Sequence, residues 1–156
     1  MNKLEILFKA KRIDNGEWVE GYVFDNDETR PEMRKFFVGG LSISKYQGTA
    51  CDDWSINGSN FYEVAPETIC RYTGLTDSDG NKVFENDILE FTERPDPRTW
   101  LGMLEFGDAY DASMWGWQLV WVGGDPNPAI SYYFNMKEEI ARSKVVGNIH
   151  DKEAGK

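Results

Sequence analysis

The chain has 156 residues, 40% of them apolar, with six Trp, seven Tyr, nine Phe and a formal charge of −10. That length suits one domain burying roughly 70% of its extended surface, and the acidity argues against unaided binding to a phosphate backbone, which calls for clustered Lys and Arg. No apolar run reaches the ~20 residues of a membrane helix, and Met1–Glu5 opens no apolar segment of the secretory kind, so the expected location is the cytoplasm, away from membranes.

Leu4, Ile6, Phe8 and Ala10 alternate with Glu5, Lys9 and Lys11. Period two predicts a half-buried strand. Asp14-Asn15-Gly16 is a tight-turn tripeptide, and Trp18, Tyr22 and Phe24 alternate along a second strand, so residues 4–25 read as a β-hairpin. Asp25 to Arg34 is a polar loop. Lys35–Val38 and Leu41–Tyr46 are short strands, broken by Gly39-Gly40. Gln47 to Asn60, rich in Gly, Ser, Asn and Asp, reads as a long polar loop of functional type that holds Trp54 and Ile56. Phe61–Val64 is a further short strand, and Pro66-Glu67-Thr68 a turn compatible with one helical turn.

From Ile69 the pattern runs strand to Tyr72, turn at Thr73-Gly74, strand at Leu75-Thr76, hairpin tip at Asp77–Asn81, and return strands at Lys82–Phe84 and Ile88–Thr92. Glu93 to Thr99, with two prolines, is an irregular connection. Leu101–Phe106 and Trp115–Val122 are strands, the second so apolar that a central place is expected. Gly123 to Pro128 is a loop and Ile130–Phe134 strand-like. Asn135 caps a helix with Glu138 and Glu139 in its first turn and Arg142 and Lys144 near its last. Val145, Val146 and Ile149 form a closing strand. The expected class is mostly β: short antiparallel strands in small barrel-like or sandwich sheets, with one short helix near the C-terminus. The expected organisation is a single domain, divisible into β lobes 1–64 and 65–150, with 151–156 as a flexible tail.

Asp77-Ser78-Asp79-Gly80 invites a calcium reading. With Gly80 at position six of an EF-hand loop, Leu75 and Asn86 fall at positions one and twelve, where carboxylates are required. The tetrapeptide therefore reads as a turn. Glu85 and Asp87 lie two apart and share a face if extended, as an acid–base pair would; the favoured reading has Asn86 left-handed and Asp87 receiving turn amides. Cys51 and Cys70 read as buried thiols, since neither sits in a CxxC and the single His150 is distant from both in sequence. His150 fits no nucleophile pattern, and no phosphate-binding loop or HExxH is present. No cofactor and no metal site is expected.

Acid concentrates in the middle of the chain. Residues 25–99 carry a net −7 and residues 100–135 a net −4 with no base, while the two ends are at 0 and +1. The basic-free stretch holds Trp100, Asp108, Asp111, Trp115, Trp117 and Trp121, the candidate interaction or ligand surface. Trp115, Trp117 and Trp121 fall on one face of a strand. Three readings stay open for that face: core, subunit interface, or a platform for a sugar or cation with aspartates at its rim.

Three blocks, FKAKRIDNGEWVEGYV, VAPETICRYTGLTDSDGNKVFENDILEF and VVGNIHDKE, in that order, resemble the YopX family of phage and prophage proteins. Asn86 stands where that pattern usually has Gly, an exchange between residues suited to positive φ. Asp151-Lys152 stands where it has Glu-Asn. The resemblance implies a mostly-β, phage-encoded protein of a bacterial host cell, a symmetric homo-oligomer, with no catalytic residues to carry over. The functional expectation is a non-enzymatic protein acting through contacts with its own copies or with a host or phage protein. The alternative is a saccharide- or cation-binding protein or hydrolase built on residues 100–135.

Overall fold

The computed structural model describes residues 5–45, 54–92, 98–107, 115–124 and 136–151. They are dominated by antiparallel strands and fall into two compact units, Ile6–Ile69 and Cys70–Lys156 with Met1–Glu5. Among the described residues no helix is long and apolar enough to cross a membrane.

In the N-terminal unit, β1 (Phe8–Lys11), β2 (Trp18–Asp25), β3 (Phe36–Lys45) and β4 (Trp54–Val64) lie side by side in the order β4-β3-β2-β1. The β1–β2 hairpin turns through Gly16, at φ 71°, with the Gly16 N–H donating to the Arg12 carbonyl. The 25–34 connection is ordered by side chains. Asn26 accepts from the Lys35 N–H, Asp25 pairs with Arg34 at 2.7 Å, and Pro31–Met33 form one 3-10 turn. The sheet curls until Val64, at the end of β4, bridges Arg12 just beyond β1, and curling stops short of a closed barrel. Inside the curl, Ala10, Val38 and Val64 are fully buried, with Val19, Val23, Phe36 and Ile69 against them.

Two sequence expectations are overturned here. Gly39-Gly40 does not interrupt a strand, because β3 runs unbroken through both; and the polar loop expected over 47–60 is, from Trp54 onward, the first half of β4. Residues 46–53 lie outside the described set. Pairing with β3, from Phe36↔Val64 to Lys45↔Trp54, recruits Ser, Asn and Gly that prefer turns when judged singly, since strand preference is set largely by neighbours. Gly39 is needed for its missing Cβ. A methyl there would lie 2.1 Å from the Asn60 carbonyl oxygen and 2.4 Å from the Phe61 Cα.

In the C-terminal unit, β5 (Cys70–Thr76) pairs with β6 (Lys82–Phe84). The turn expected at Thr73-Gly74 is instead a bulge within β5, with Gly74 at φ 83° and Thr73 Oγ1 donating to the Val83 carbonyl at 2.7 Å. A four-stranded sheet follows in the order β10-β7-β8-β9, built from β7 (Asp87–Thr92), β8 (Thr99–Gly107), β9 (Gly116–Gly124) and β10 (Lys144–Asn148). The helix α1 (Met136–Arg142) lies where expected, with Glu138 and Glu139 in its first turn; its expected cap Asn135 and the strand-like 130–134 are outside the described residues. The core is Val83, Leu89, Phe91, Trp100, Leu104, Leu119 and Ile140.

The central place expected for the Trp-rich strand is not observed, because β9 ends the order among the described residues. Its apolarity has a local cause. Leu119 is buried in the core while Trp121 and Val122 are exposed, so only part of the strand meets the sheet's interior. Gly123 and Gly124, expected in a loop, complete β9. Gly124, at φ 88°, lies against the Trp100 backbone.

Gly39 and Gly40 are adjacent, yet only the first is crowded, since a Cβ on Gly40 meets nothing within 4 Å. Gly39→Ala should therefore cost ~3 kcal/mol or more through forced strand separation, whereas Gly40→Ala should be near neutral. Thermal melts of the two variants check this contrast, and equal behaviour would contradict the packing described.

Candidate functional site

The carboxylates that stand out in the sequence are placed as fasteners. Asp77 Oδ1 accepts from the N–H groups of Asp79 and Asn81 at 2.9 and 2.8 Å, and its Oδ2 accepts from the Val145 N–H at 3.0 Å. Burial by itself would push the Asp77 pKa up, but the hydrogen bonds from Val145 and Asn81, joined by that from Asp79, outweigh it and hold the carboxyl below its usual range. Asp87 is buried. Its Oδ2 accepts from the Phe84 N–H at 2.8 Å and its Oδ1 from the Asn148 side-chain amide at 2.9 Å. Asn86 adopts φ 67°, as the turn reading requires. Glu85 points elsewhere, to the Arg71 guanidinium at 3.2 Å, so Glu85 and Asp87 do not act on a common point.

Asn148 is the counterpart of Asp87. Its backbone N–H donates to Asp151 and its Oδ1 accepts from the His150 N–H, while Asn86 accepts from the Ile149 N–H. The thiol of buried Cys70 lies 3.8 Å from the Asn86 amide and 3.9 Å from that of Asn148. Cys51 is outside the described residues. The middle and final sequence blocks thus hold each other through polar atoms. Among the described residues no three His, Cys, Asp or Glu side chains are grouped to hold a metal.

The four tryptophans of the Trp/Asp stretch differ in environment. Trp100 is only 6% exposed and stacks on Phe91, with ring centroids 4.1 Å apart. Trp117 is half-buried against the core, and Trp115, 73% exposed, precedes β9. Trp121 is exposed near the far end of β9. Asp108 and Asp111 lie outside the described residues. The structure does bring Phe106, Trp115 and Trp117 together edge to face. Onto this cluster comes Arg71, 4.3 Å from the Phe106 ring centre and 5.5 Å from that of Trp117, anchored by Glu85. A cation of the chain itself thus fills the slot where an external cation would stack.

A different surface was hidden in the sequence. On β3, Val38 faces the buried interior, while Phe37, Leu41 and Ile43 face outward. The register puts Phe24 and Tyr22 of β2, and Phe61, Ile56 and Trp54 of β4, on that same outer face. A bulge between Ser42 and Ile43 keeps Ile56 and Trp54 in phase with Ile43 and Lys45. Phe61 contacts Phe24 and Phe37, with ring centroids 6.2 and 5.8 Å apart. At the ribbon end, Asn57 donates to Ser44 Oγ and also lies within bonding distance of Ser55, marking the opposite, polar side. The available signal was the Leu41-Ser42-Ile43-Ser44 alternation, read as a strand, together with the Trp54-Ser55-Ile56-Asn57 alternation, which composition had disguised as loop.

The hairpin-rich, mostly-β architecture, with its polar-locked middle and end, defines the class. The YopX protein family model matches residues 23–153, and the chain belongs to that family. Neither the curated proteins nor the solved structures contain a match.

Two outcomes test the fastener role. Asp87→Ala should cost ~3 kcal/mol because it strands the Phe84 N–H and the Asn148 amide, and a double-mutant cycle with Asn148→Ala should return a coupling of about 2 kcal/mol. Asp77 has a lowered folded-state pKa, so its stabilisation is full above the unfolded carboxylate value and is lost as pH falls through the folded value. Urea midpoints of wild type and Asp77→Asn should therefore differ by a constant amount at neutral pH and converge below about pH 4.

Proposed function

We propose that this chain is a non-enzymatic protein of phage or prophage origin that works in the bacterial cytoplasm through protein–protein contacts, chiefly between its own copies. The observation that carries this reading is the outer face of the β2–β3–β4 sheet. An antiparallel sheet with one face on its core ordinarily turns polar side chains to water on the other. Here the second face is apolar over successive rungs, with Ile43, Trp54 and Ile56 all more than half exposed. Contiguous apolar surface of that kind marks contact sites. The use of Asp77 and Asp87 to hold backbone amides supports the same reading, since those carboxylates are committed to the fold. A host or phage protein is a further partner consistent with it, and the net charge of −10 weighs against nucleic acid.

The second reading, a small-ligand site, is favoured by one observation: the Trp115 ring stands exposed beside Phe106 as a saccharide platform would. Light scattering of the purified chain across concentration, together with a thermal-shift panel of divalent cations and saccharides, separates the two. Concentration-dependent mass with an unmoved Tm supports the contact reading. A strict monomer whose Tm rises with one ligand, as binding to the native state requires, would replace it with the ligand reading.

A further inference from the structure

We infer that the cleft where β2 parts from β3 receives an extended peptide segment of another protein, which adds to the edge of β3 as an extra strand. This rests on the contact reading above and names how a partner other than a copy of the chain is held. Exposed main chain, shape and charge each point to such a guest.

β2 pairs with β3 only from Tyr22↔Gly39 to Asp25↔Phe36, while its Trp18–Gly21 half turns away to pair with β1. At the corner a Cβ on Gly21 would lie 2.3 Å from the Gly39 carbonyl oxygen, so that carbonyl points toward β2. An antiparallel strand sends the N–H and C=O of every second residue to the same side. β3 has no extra residue to change this phase, since the bulged residue is Asn57 of β4. The main-chain groups of Leu41 and Ile43 therefore face the side that β2 has left, where no other described strand lies. Exposed strand edges are ordinarily guarded by charged side chains or Pro. Gly40 to Ser44 carries neither.

A groove of 680 Å³ follows this edge, inside the range of about 300–1,000 Å³ typical of ligand sites. Val19 and Glu20 line it from β2, Leu41 and Ser42 from β3, and Gly40 and Gly58 leave bare backbone in it. A Cβ on either glycine would meet nothing within 4 Å, so a guest side chain has room above them. Because β2 bounds the far side, the cleft suits a single strand. A second copy offering its β3 would bring β4 alongside, a ribbon at least one strand spacing wider. Glu20 is the one acid among the lining residues, which include no Lys or Arg, and it stands cross-strand from Lys9. Charge at the cleft is thus close to balanced, while the chain's net −10 favours a cationic segment over an acidic one. The guest is an extended, proline-free segment, uncharged where it crosses the two glycines and basic at its flanks. In strand addition of this kind main-chain hydrogen bonds give affinity, and alternate side chains give specificity.

The test selects a random library of short peptides on the immobilised full chain and titrates the enriched peptides by fluorescence anisotropy. They should be proline-free at the centre and rich in Lys or Arg, and N-methylation of alternate amides should abolish their binding. Gly40→Val fills open space in the groove, and Leu41→Pro deletes an outward N–H that an edge strand can spare. Each should weaken binding by about tenfold or more, while Leu41→Ala, which keeps the N–H, should stay within about twofold of wild type. Bound peptide should also slow hydrogen exchange at the Leu41 and Ile43 amides. A strict monomer that binds such peptides upholds this proposal and overturns only self-association. No enrichment, or peptides that bind every variant equally, overturns the edge site and leaves the contact reading to the light-scattering result. Oligosaccharides that raise the Tm of wild type but not of Gly40→Val assign the groove to a sugar and overturn the proposal as well. Should Leu41→Pro lose its native circular dichroism, Gly40→Val and the N-methylated peptides decide, and undiminished binding in both overturns it.

Discussion

The C-terminal unit depends on buried carboxylates that take their hydrogen bonds from far along the chain. Asp87 is closed over by the Asn148 amide, 61 residues on, and Asp77 by the Val145 N–H, 68 residues on. A buried anion is costly unless its lone pairs are met, so each contact is required by the next. Asn148 in turn orders the segment after β10 through Asp151 and His150, while Asn86 receives Ile149. Around this polar frame the apolar residues complete the core, with Leu89, Leu104 and Ile140 fully buried. The frame joins the chain's middle and final sequence blocks, which are the two halves of one hydrogen-bonded junction.

The N-terminal unit solves a different problem. Its core is small, with Ala10, Val38 and Val64 fully buried, and a sheet of long strands cannot be covered on both sides by so little. Close approach at Gly39 lets β2, β3 and β4 pinch together. The outward side chains are then brought into one apolar field by register alone. A one-residue slip would turn Ile43 and Leu41 to the opposite face, and the bulge at Ser42/Ile43 is the device that keeps both strands in phase.

Much of the chemistry that looks inviting in the sequence is structural in the fold. The Asp77-Ser78-Asp79-Gly80 stretch is a tip whose first carboxylate collects amides, and Arg71 sits on Phe106 and Trp117. The same residue types would serve a metal or a ligand in another setting. What differs is the neighbours: backbone N–H groups at hydrogen-bond distance meet the carboxylate, and a guanidinium from the same chain meets the rings.

Local signals in the sequence were enough for the opening hairpin, the Gly16 turn, the left-handed Asn86, the helix at Met136–Arg142 and the mostly-β class. Each depends on residues within a few positions of one another, on turn chemistry and period-two or helical spacing, which a sequence displays directly. The continuity of β3 through Gly39-Gly40, the strand status of Trp54–Asn60, the edge position of β9 and the partner of Asp87 depend on which distant segment lies alongside. Those were decided by tertiary pairing. A Ser, Asn or Gly joins a strand when a neighbouring ladder satisfies its backbone, and a row of apolar side chains becomes a surface only when the strands that carry it are set in register.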